Sequence, residues 1–276
     1  MRAASFLAVL ALLSFALPLA KANSTEIPFT YADGFIIVKA KIPQSPEPLN
    51  FLVDSGAGLS VLGLNTAHRL QLHLGSSQRV QGVDMQAEAF KLSGVMATGL
   101  DGTALDKVPL AVDLSNAGQL CREPVDGLLG VDFFRSRVVQ IDFPAQRIRL
   151  LSSAPVGGTT LPIKPFNGTL CVPISVNGSR NRWARLDTGC NDALHWVVPK
   201  TRERRSAAQV SIGFMTDDSN LALSDLTLGG ENLNKIPTSL HATPLFPGEA
   251  GLVGNGIWSR YVVTFDVPHN RLLLQR

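Results

Sequence analysis

The sequence repeats itself at a constant offset of 124 positions, and this repeat limits the folds that the chain can adopt. A Gly-Leu-Leu-Gly segment at 127–130 is matched by Gly-Leu-Val-Gly at 251–254. The apolar, Asp, Pro and Arg positions that follow recur in the same order up to Leu150 and Leu274. Internal repeats of this kind indicate similar structural units. The sequence therefore predicts two related halves, each ending in an apolar-apolar-Gly element and a closing hairpin.

A second repeated motif stands near the start of each half, where a strand-like run leads into an acidic tight turn. The two copies are 133 positions apart and read Asp54-Ser55-Gly56 and Asp187-Thr188-Gly189. In each copy the strand delivers a carboxylate, a small hydroxyl residue follows, and glycine permits a turn where a Cβ would clash. Two such tripeptides in equivalent places are much harder to attribute to chance than one.

The remaining pattern is typical of an all-β protein. Gly and Pro are frequent throughout, and the apolar runs are short and rich in Val, Ile and Leu. We expect the first strand at 34–42, a hairpin of 170–176 and 183–186 around Asn177-Gly178, and a short helix at 66–74.

The order of strand, Asp turn, variable middle, apolar-apolar-Gly and hairpin resembles that of the aspartic peptidases. The lobes resemble the short retropepsin-like kind, joined in one chain as two unequal copies, as in the pepsins. The resemblance implies an all-β, two-lobed acid-protease fold. Each lobe would be a small closed β-barrel, and the active site would lie between the lobes.

The resemblance also implies roles for individual residues. The catalytic pair would be Asp54 and Asp187. The loops would be shaped by Ser55, Gly56, Thr188 and Gly189, and supported by Leu129, Gly130, Val253 and Gly254. No metal or organic cofactor is implied.

Two neighbouring carboxylates suit peptide hydrolysis because like charges that close share one proton. One Asp then takes a proton from water while the other donates to the carbonyl oxygen. We therefore expect activity to be greatest in acid and to fade toward neutrality. Arg185 stands two residues before Asp187 and so shares its strand face, which predicts that its charge favours the ionised carboxylate.

The prediction is an aspartic endopeptidase acting on protein or peptide substrates. The alternative is a catalytically inactive peptide- or protein-binding module of the same fold. A structural β-domain of a cell envelope is a third class, but it would not require the paired acids. No Gly-x-Ser-x-Gly, His-Glu-x-x-His or Walker motif is present. A Ser-His-Asp triad is left open, because triads are assembled in space.

The first 22 residues resemble a secretory signal, with a basic start, an apolar run and a small-x-small site at 20–22. An uncleaved membrane anchor is the alternative, although the apolar run is short for a membrane span. Residues 1–22 are therefore assigned to a signal peptide, 23–153 to the N-terminal lobe and 154–276 to the C-terminal lobe, with the linker near 152–160. We expect a secreted or periplasmic protein without a stable membrane span after cleavage. Cleavage removes Arg2 and Lys21 and lowers the net charge from +3 to +1, so no nucleic-acid partner is predicted. Because both motifs lie in one chain, we expect a monomer.

Several features differ from the family pattern or are not decided by it. Cys190 stands where Ala, Ser or Thr is usual, and Cys121 and Cys171 have the option of pairing in an oxidising compartment. The cysteine and histidine spacing does not predict a zinc site. The flap is predicted at Val80–Glu88, a region without the tyrosine found in pepsins. The charged segment 202–205 is read as solvated surface or a proteolytic nicking site.

Overall fold

The structure is a computed structural model that describes residues 25–81, 86–198 and 220–276. The predicted signal peptide, the tip of the predicted flap and the charged segment 202–205 lie outside these residues. Within the described ranges, no helix combines the length and the apolar character needed to span a bilayer.

The first half consists of short strands and three short helices. Their bounds are β1 Thr25–Ala32, β2 Phe35–Ala40, β3 Leu49–Val53, β4 Val61–Gly63, α1 Leu64–Arg69, β5 Ser77–Gln81, β6 Gln86–Lys91, β7 Met96–Thr98, β8 Ala104–Lys107, β9 Leu110–Val112, α2 Ser115–Cys121, β10 Gly127–Leu129, α3 Val131–Arg135, β11 Val138–Asp142 and β12 Arg147–Leu151.

The second half follows the same plan with one described α-helix. Its bounds are β13 Thr159–Pro162, β14 Lys164–Phe166, β15 Thr169–Val176, β16 Arg182–Leu186, β17 Leu194–Val197, β18 Asn220–Leu228, β19 Glu231–His241, β20 Gly251–Val253, α4 Asn255–Trp258, β21 Val262–Asp266, a 3₁₀ turn Val267–His269 and β22 Arg271–Gln275.

Local sequence explains the hairpins. Asn177 and Gly178 both adopt positive φ, 52° and 68°, as the two-residue turn between β15 and β16 requires. Asp33 and Gly34 form the same kind of turn between β1 and β2, with φ of 51° and 85°. The sequence pattern predicted the first strand at 34–42, but β1 precedes it; Pro28 weakens the strand pattern of β1. The predicted helix 66–74 was misplaced, because α1 begins at Leu64 and ends at Arg69.

A central sheet joins the two halves in the order β13-β22-β21-β11-β12-β1. Its middle pair, β11 and β21, is antiparallel and places Gln140 opposite Thr264, where the amide donates to the hydroxyl oxygen at 3.2 Å. These two residues are 124 positions apart, the offset of the sequence repeat. An internal duplication stays a prediction from the sequence, with which this register agrees.

The all-β, two-lobed fold predicted from the sequence is confirmed. In the second lobe β15, β16, β20, β17, β19 and β18 close into a six-stranded barrel through the β15–β18 pairing. In the first lobe the order is β1-β2-β3-β10-β4-β9-β6-β5, and this sheet continues into the central sheet through β1. The predicted linker 152–160 overlaps β13 by two residues, and the lobe boundary at 153/154 stays a prediction.

The apolar-apolar-Gly elements pack closely against neighbouring backbone. Strand β10 runs parallel to β3, and β20 runs parallel to β16. Gly130 follows β10 and lies so close to the backbone of Leu59 and Ser60 that an added Cβ would be 2.5 Å from the Leu59 carbonyl oxygen. Backbone atoms cannot move aside as a flexible side chain does, so glycine is required here.

We predict that Gly130→Ala lowers the free energy of unfolding by about 1–3 kcal/mol through this overlap. The measurement is denaturant unfolding. The matched control is Gly118→Ala in α2, where the nearest atoms to an added Cβ are 3.8 Å away. The control should be neutral or up to about 1 kcal/mol more stable because of helix propensity. Equal effects of the two substitutions would contradict the packing argument.

Candidate active site

Asp54 emerges from the buried strand β3 into a loop that its own carboxylate organises. Its backbone N–H donates to the Leu129 carbonyl at 2.9 Å, which continues the parallel β3–β10 pairing. The N–H groups of Gly56 and Ala57 donate to Asp54 Oδ1 at 2.9 and 3.0 Å. Hydrogen bonds therefore hold both the backbone and the carboxyl group of Asp54 in place.

Asp187 occupies the equivalent place after β16. Its N–H donates to the Val253 carbonyl at 3.0 Å, which extends the parallel β16–β20 pairing. The N–H of Gly189 donates to Asp187 Oδ1 at 2.9 Å. Asp187 thus receives one backbone donor on Oδ1 where Asp54 receives two.

Ser55 and Thr188 bind the two Asp loops to each other. The Ser55 N–H donates to Thr188 Oγ1 at 2.9 Å, and the Thr188 N–H donates to Ser55 Oγ at 3.1 Å. Each hydroxyl then donates across the interface: Ser55 Oγ to the carbonyl of Leu186 at 3.0 Å, and Thr188 Oγ1 to the carbonyl of Val53 at 2.8 Å. Both residues are fully buried, so every donor and acceptor in this exchange is used without competition from water.

The two carboxyl groups face the opposite loops across this interface. A Cβ built on Gly56 would lie 2.5 Å from Asp187 Cγ, and one built on Gly189 would overlap Asp54 Cγ in the same way. Glycine at both positions is therefore what lets each carboxyl group approach the other loop. The structure brings together all six residues of the two Asp motifs, with Leu129 and Val253 as backbone acceptors behind them.

Burial and mutual repulsion shift the acidity of this pair. Burial raises the pKa of Asp54 above its ordinary value, although the Gly56 and Ala57 N–H groups oppose the shift. Burial, followed by the charge of Asp54, raises the pKa of Asp187 to about 8. Two like charges in one site cannot both ionise easily, so a shared proton is retained and the titration belongs to the pair.

Residues 38–133, which include the Asp54 loop and Gly130, match a family model described as Aspartyl protease. The fold resembles that of an aspartic proteinase from Irpex lacteus, with a TM-score of 0.57 at 12% identity over 91% of this chain and 97% of that chain. It also resembles the basic 7S globulin from soybean, with a TM-score of 0.52 at 10% identity over 92% and 95%. A search of curated proteins found no match.

In residues 38–133 and in its fold, the chain resembles the aspartic peptidases. The family match ends before Asp187, so the pairing of Asp187 with Asp54 rests on the geometry of the two loops. At identities of 10–12% the solved structures establish the aspartic-peptidase fold alone.

Arg185 lies behind Asp54 and Asp187, and only part of its environment was predicted from the sequence. Its guanidinium group pairs with Glu249 through two hydrogen bonds of 2.8 and 2.7 Å and donates from Nη1 to the Gly56 carbonyl at 2.9 Å. It also lies over the Phe246 ring, 3.2 Å from the centroid. Its charge lowers the pKa of both aspartates, as predicted in direction, but its direct partners are Glu249 and the Asp54 loop.

Asn255 is a site residue that the sequence analysis missed. It is fully buried, and its side-chain amide donates to the Thr188 carbonyl at 2.7 Å and to the Gly34 carbonyl at 2.8 Å. It therefore ties the Asp187 loop to the β1–β2 hairpin. The available signal was its position directly after Gly254, where Val131 stands in the first half.

The other predicted features are only partly covered. The predicted flap at Val80–Glu88 falls on the hairpin of β5 and β6, whose tip, 82–85, lies outside the described residues. Cys121, Cys171 and Cys190 are all free thiols, so the optional Cys121–Cys171 pairing is not formed. A groove of about 610 Å³ lies on the first lobe beside Asn50, Arg69 and Asp126. Neither Asp54 nor Asp187 lines this groove.

We predict that Thr188→Ala lowers the free energy of unfolding by about 1–3 kcal/mol, because the Ser55 N–H loses its acceptor and the Val53 carbonyl its donor inside the protein. Chemical denaturation measures this loss. Thr188→Ser is the matched control, since it keeps the hydroxyl and removes one methyl group, at a cost of about 0.8 kcal/mol. A serine variant as unstable as the alanine variant would show that the hydroxyl exchange is not the stabilising contact.

We also predict that Asp187→Asn stabilises the protein increasingly as pH rises from 4 to 8. Between the ordinary Asp pKa of 3.8 and about 8, the unfolded carboxyl group is ionised while folded Asp187 holds its proton. Stability of the unsubstituted protein therefore falls with rising pH across this window, and asparagine removes that loss. The difference should reach the order of a few kcal/mol and is measured by thermal unfolding at several pH values. A difference independent of pH would contradict the raised pKa.

Proposed function

We propose that the protein is an aspartic endopeptidase that hydrolyses peptide bonds with Asp54 and Asp187 as its catalytic residues. The observation that supports this most directly is that the half-buried Asp54 and the buried Asp187 lie on facing loops, with each carboxyl group against the glycine of the other loop. Such a pair holds one proton between two acids, which is the state that acid–base catalysis of peptide hydrolysis needs.

The asymmetry of the hydrogen bonds supports a role for each acid. Asp54 Oδ1 accepts two backbone N–H groups, which favours its ionised form, while the pKa of Asp187 is raised to about 8. Asp54 is therefore the base that takes a proton from the attacking water. Asp187 is the acid that donates its proton to the carbonyl oxygen as the water oxygen bonds to the carbonyl carbon.

Collapse of the resulting diol completes the reaction. Asp54 passes its proton to the amide nitrogen, the C–N bond breaks, and Asp187 recovers a proton from a diol hydroxyl. The products are a carboxylic acid and an amine, and both aspartates return to their starting states. All proton transfers use the two side chains and the water, so the proposed chemistry needs no further reactant.

Two further properties belong to the proposal. Both acids come from one chain, which supports activity as a monomer, and activity per molecule should stay constant on dilution. The leader predicted at 1–22 supports a secreted or periplasmic location.

The pH window follows from the two raised pKa values. At low pH Asp54 gains a proton and no base remains, and at high pH the pair loses its shared proton. Both limits lie above those of ordinary carboxyl groups, so the active range should extend toward neutrality and decline as the pH passes about 8. The pH range expected for activity is therefore higher than the one expected from the sequence, in which activity declined toward neutrality.

We predict that Asp54→Asn or Asp187→Asn lowers cleavage of an unfolded protein substrate by at least about 100-fold while the fold is kept, because a single carboxyl group cannot be both base and acid. The assay covers acid to mildly alkaline pH, with and without a statine inhibitor. The exposed Asp113→Asn is the matched control and should keep full activity.

Near-full activity of either dyad variant would refute the proposal. Absence of cleavage by the unsubstituted protein, together with statine binding that depends on both aspartates, would instead support the inactive peptide-binding module.

A further inference from the structure

Folding assembles a cluster of possible metal ligands that the sequence spacing did not predict. The Cys190 thiol, the Asp192 carboxylate and the His195 imidazole each offer one ligand atom, and these atoms all lie within 4.8 Å of one another. Cys190 and Asp192 belong to the loop after the Asp187 motif, and His195 belongs to β17. We propose that these three residues bind a divalent transition-metal ion, with Zn²⁺ as the ion that fits best.

The donor set supports Zn²⁺. This ion accepts thiolate, imidazole and carboxylate ligands together, at about 2.0–2.3 Å in tetrahedral geometry. Ligand atoms at those bond lengths are about 3.3–3.8 Å apart, so only a modest contraction of the cluster is needed. His195 Nε2 and Asp192 Oδ2 are at hydrogen-bond distance, 3.0 Å, and would move apart by about 0.3 Å to bind one ion.

His195 is held in the orientation that a ligand needs. Its Nε2 faces Asp192, while its Nδ1 lies 3.0 Å from Nε2 of His241. The two rings are stacked, with centroids 5.3 Å apart and an interplanar angle of 23°, and both residues are buried. A hydrogen bond to the second ring nitrogen commonly fixes the tautomer and direction of a metal-binding histidine. His241 would therefore orient His195 for metal binding without itself being a ligand.

The loop that carries the other two ligands is equally fixed. Backbone N–H groups of Gly254, Asn255 and Gly256 donate to the carbonyls of Ala193, Cys190 and Asp192 at 3.1, 2.8 and 3.1 Å. An added Cβ on Gly254 would also come within 3.1 Å of Cys190 Sγ. Rigid supports of this kind favour a preformed site over one that must order on binding.

Exposure gives the ion an entry path. The Asp192 side chain is 50% exposed while that of His195 is 3% exposed, so the site is closed on its inner side and open on the carboxylate side. Three protein ligands with an open side leave a fourth position for water or another small ligand. In the metal-free protein the thiol is protonated, because burial raises the pKa of Cys190, and binding releases that proton.

The test is titration of the purified, chelator-treated protein with Zn²⁺ by calorimetry and with Co²⁺ by absorption. We expect one tight site per chain and a cobalt–thiolate charge-transfer band, which reports Cys190 without any substitution. Asp192→Asn removes a half-exposed ligand and should weaken Zn²⁺ binding on the order of 100-fold. His241→Gln should weaken it by about 10–100-fold through loss of orientation.

The controls separate this site from other thiols and imidazoles. Cys121→Ser removes a thiol that is packed in a separate apolar cluster, and it should keep the cobalt band. His68→Gln removes an exposed imidazole and should keep the affinity for Zn²⁺. Circular dichroism of every variant establishes that the fold is retained.

Equal Zn²⁺ affinity of Asp192→Asn and the unsubstituted protein, or a cobalt complex without a thiolate band, would overturn the inference. The readouts are metal binding and absorption, so they are independent of peptide cleavage. A protein that binds Zn²⁺ without cleaving peptides would refute the proposed function alone, and the reverse result would refute the metal site alone.

Discussion

The exchange of hydrogen bonds between Ser55 and Thr188 is the interaction on which the rest of the site depends. Each residue gives its N–H to the other's hydroxyl and its hydroxyl to a backbone carbonyl of the opposite half. Both are removed from water, so breaking one partner leaves a buried polar group unpaired. Because these residues directly follow Asp54 and Asp187, the same four bonds bring the two carboxyl groups together.

The central sheet fixes the two halves at a second place. Gln140 and Thr264 oppose each other where β11 pairs with β21, just as Ser55 and Thr188 oppose each other between the loops. In both places the partners are equivalent positions of the two halves. These two contacts hold the halves together at separate places, so the positions of the two carboxyl groups depend on residues other than the aspartates themselves.

Local sequence predicted the parts of the structure that depend on neighbours along the chain. The Asp turns and the Asn177-Gly178 hairpin were available from short patterns, whereas the two-lobed β fold was predicted from the repeat and from the resemblance to the aspartic peptidases. Glu249 was not, because it lies 64 residues from Arg185 and only the folded barrel makes it the partner of that arginine. The contact of His195 with His241 spans 46 residues and was missed for the same reason. Strand alternation placed Arg185 correctly on the face of Asp187 but held no information about what faces it.

The two halves are alike in backbone, yet their acids are not equivalent. Asp54 Oδ1 accepts two backbone N–H groups, and the carbonyl of Gly56 in the same loop accepts from the Arg185 guanidinium group. Asp187 Oδ1 accepts one backbone N–H, and the half-buried Cys190 follows Asp187 three residues later in the chain. In a symmetric site, the shared proton would be equally stable on Asp54 and on Asp187. The unequal number of donors favours the proton on Asp187, so the roles proposed for the two acids rest on differences between two otherwise similar loops.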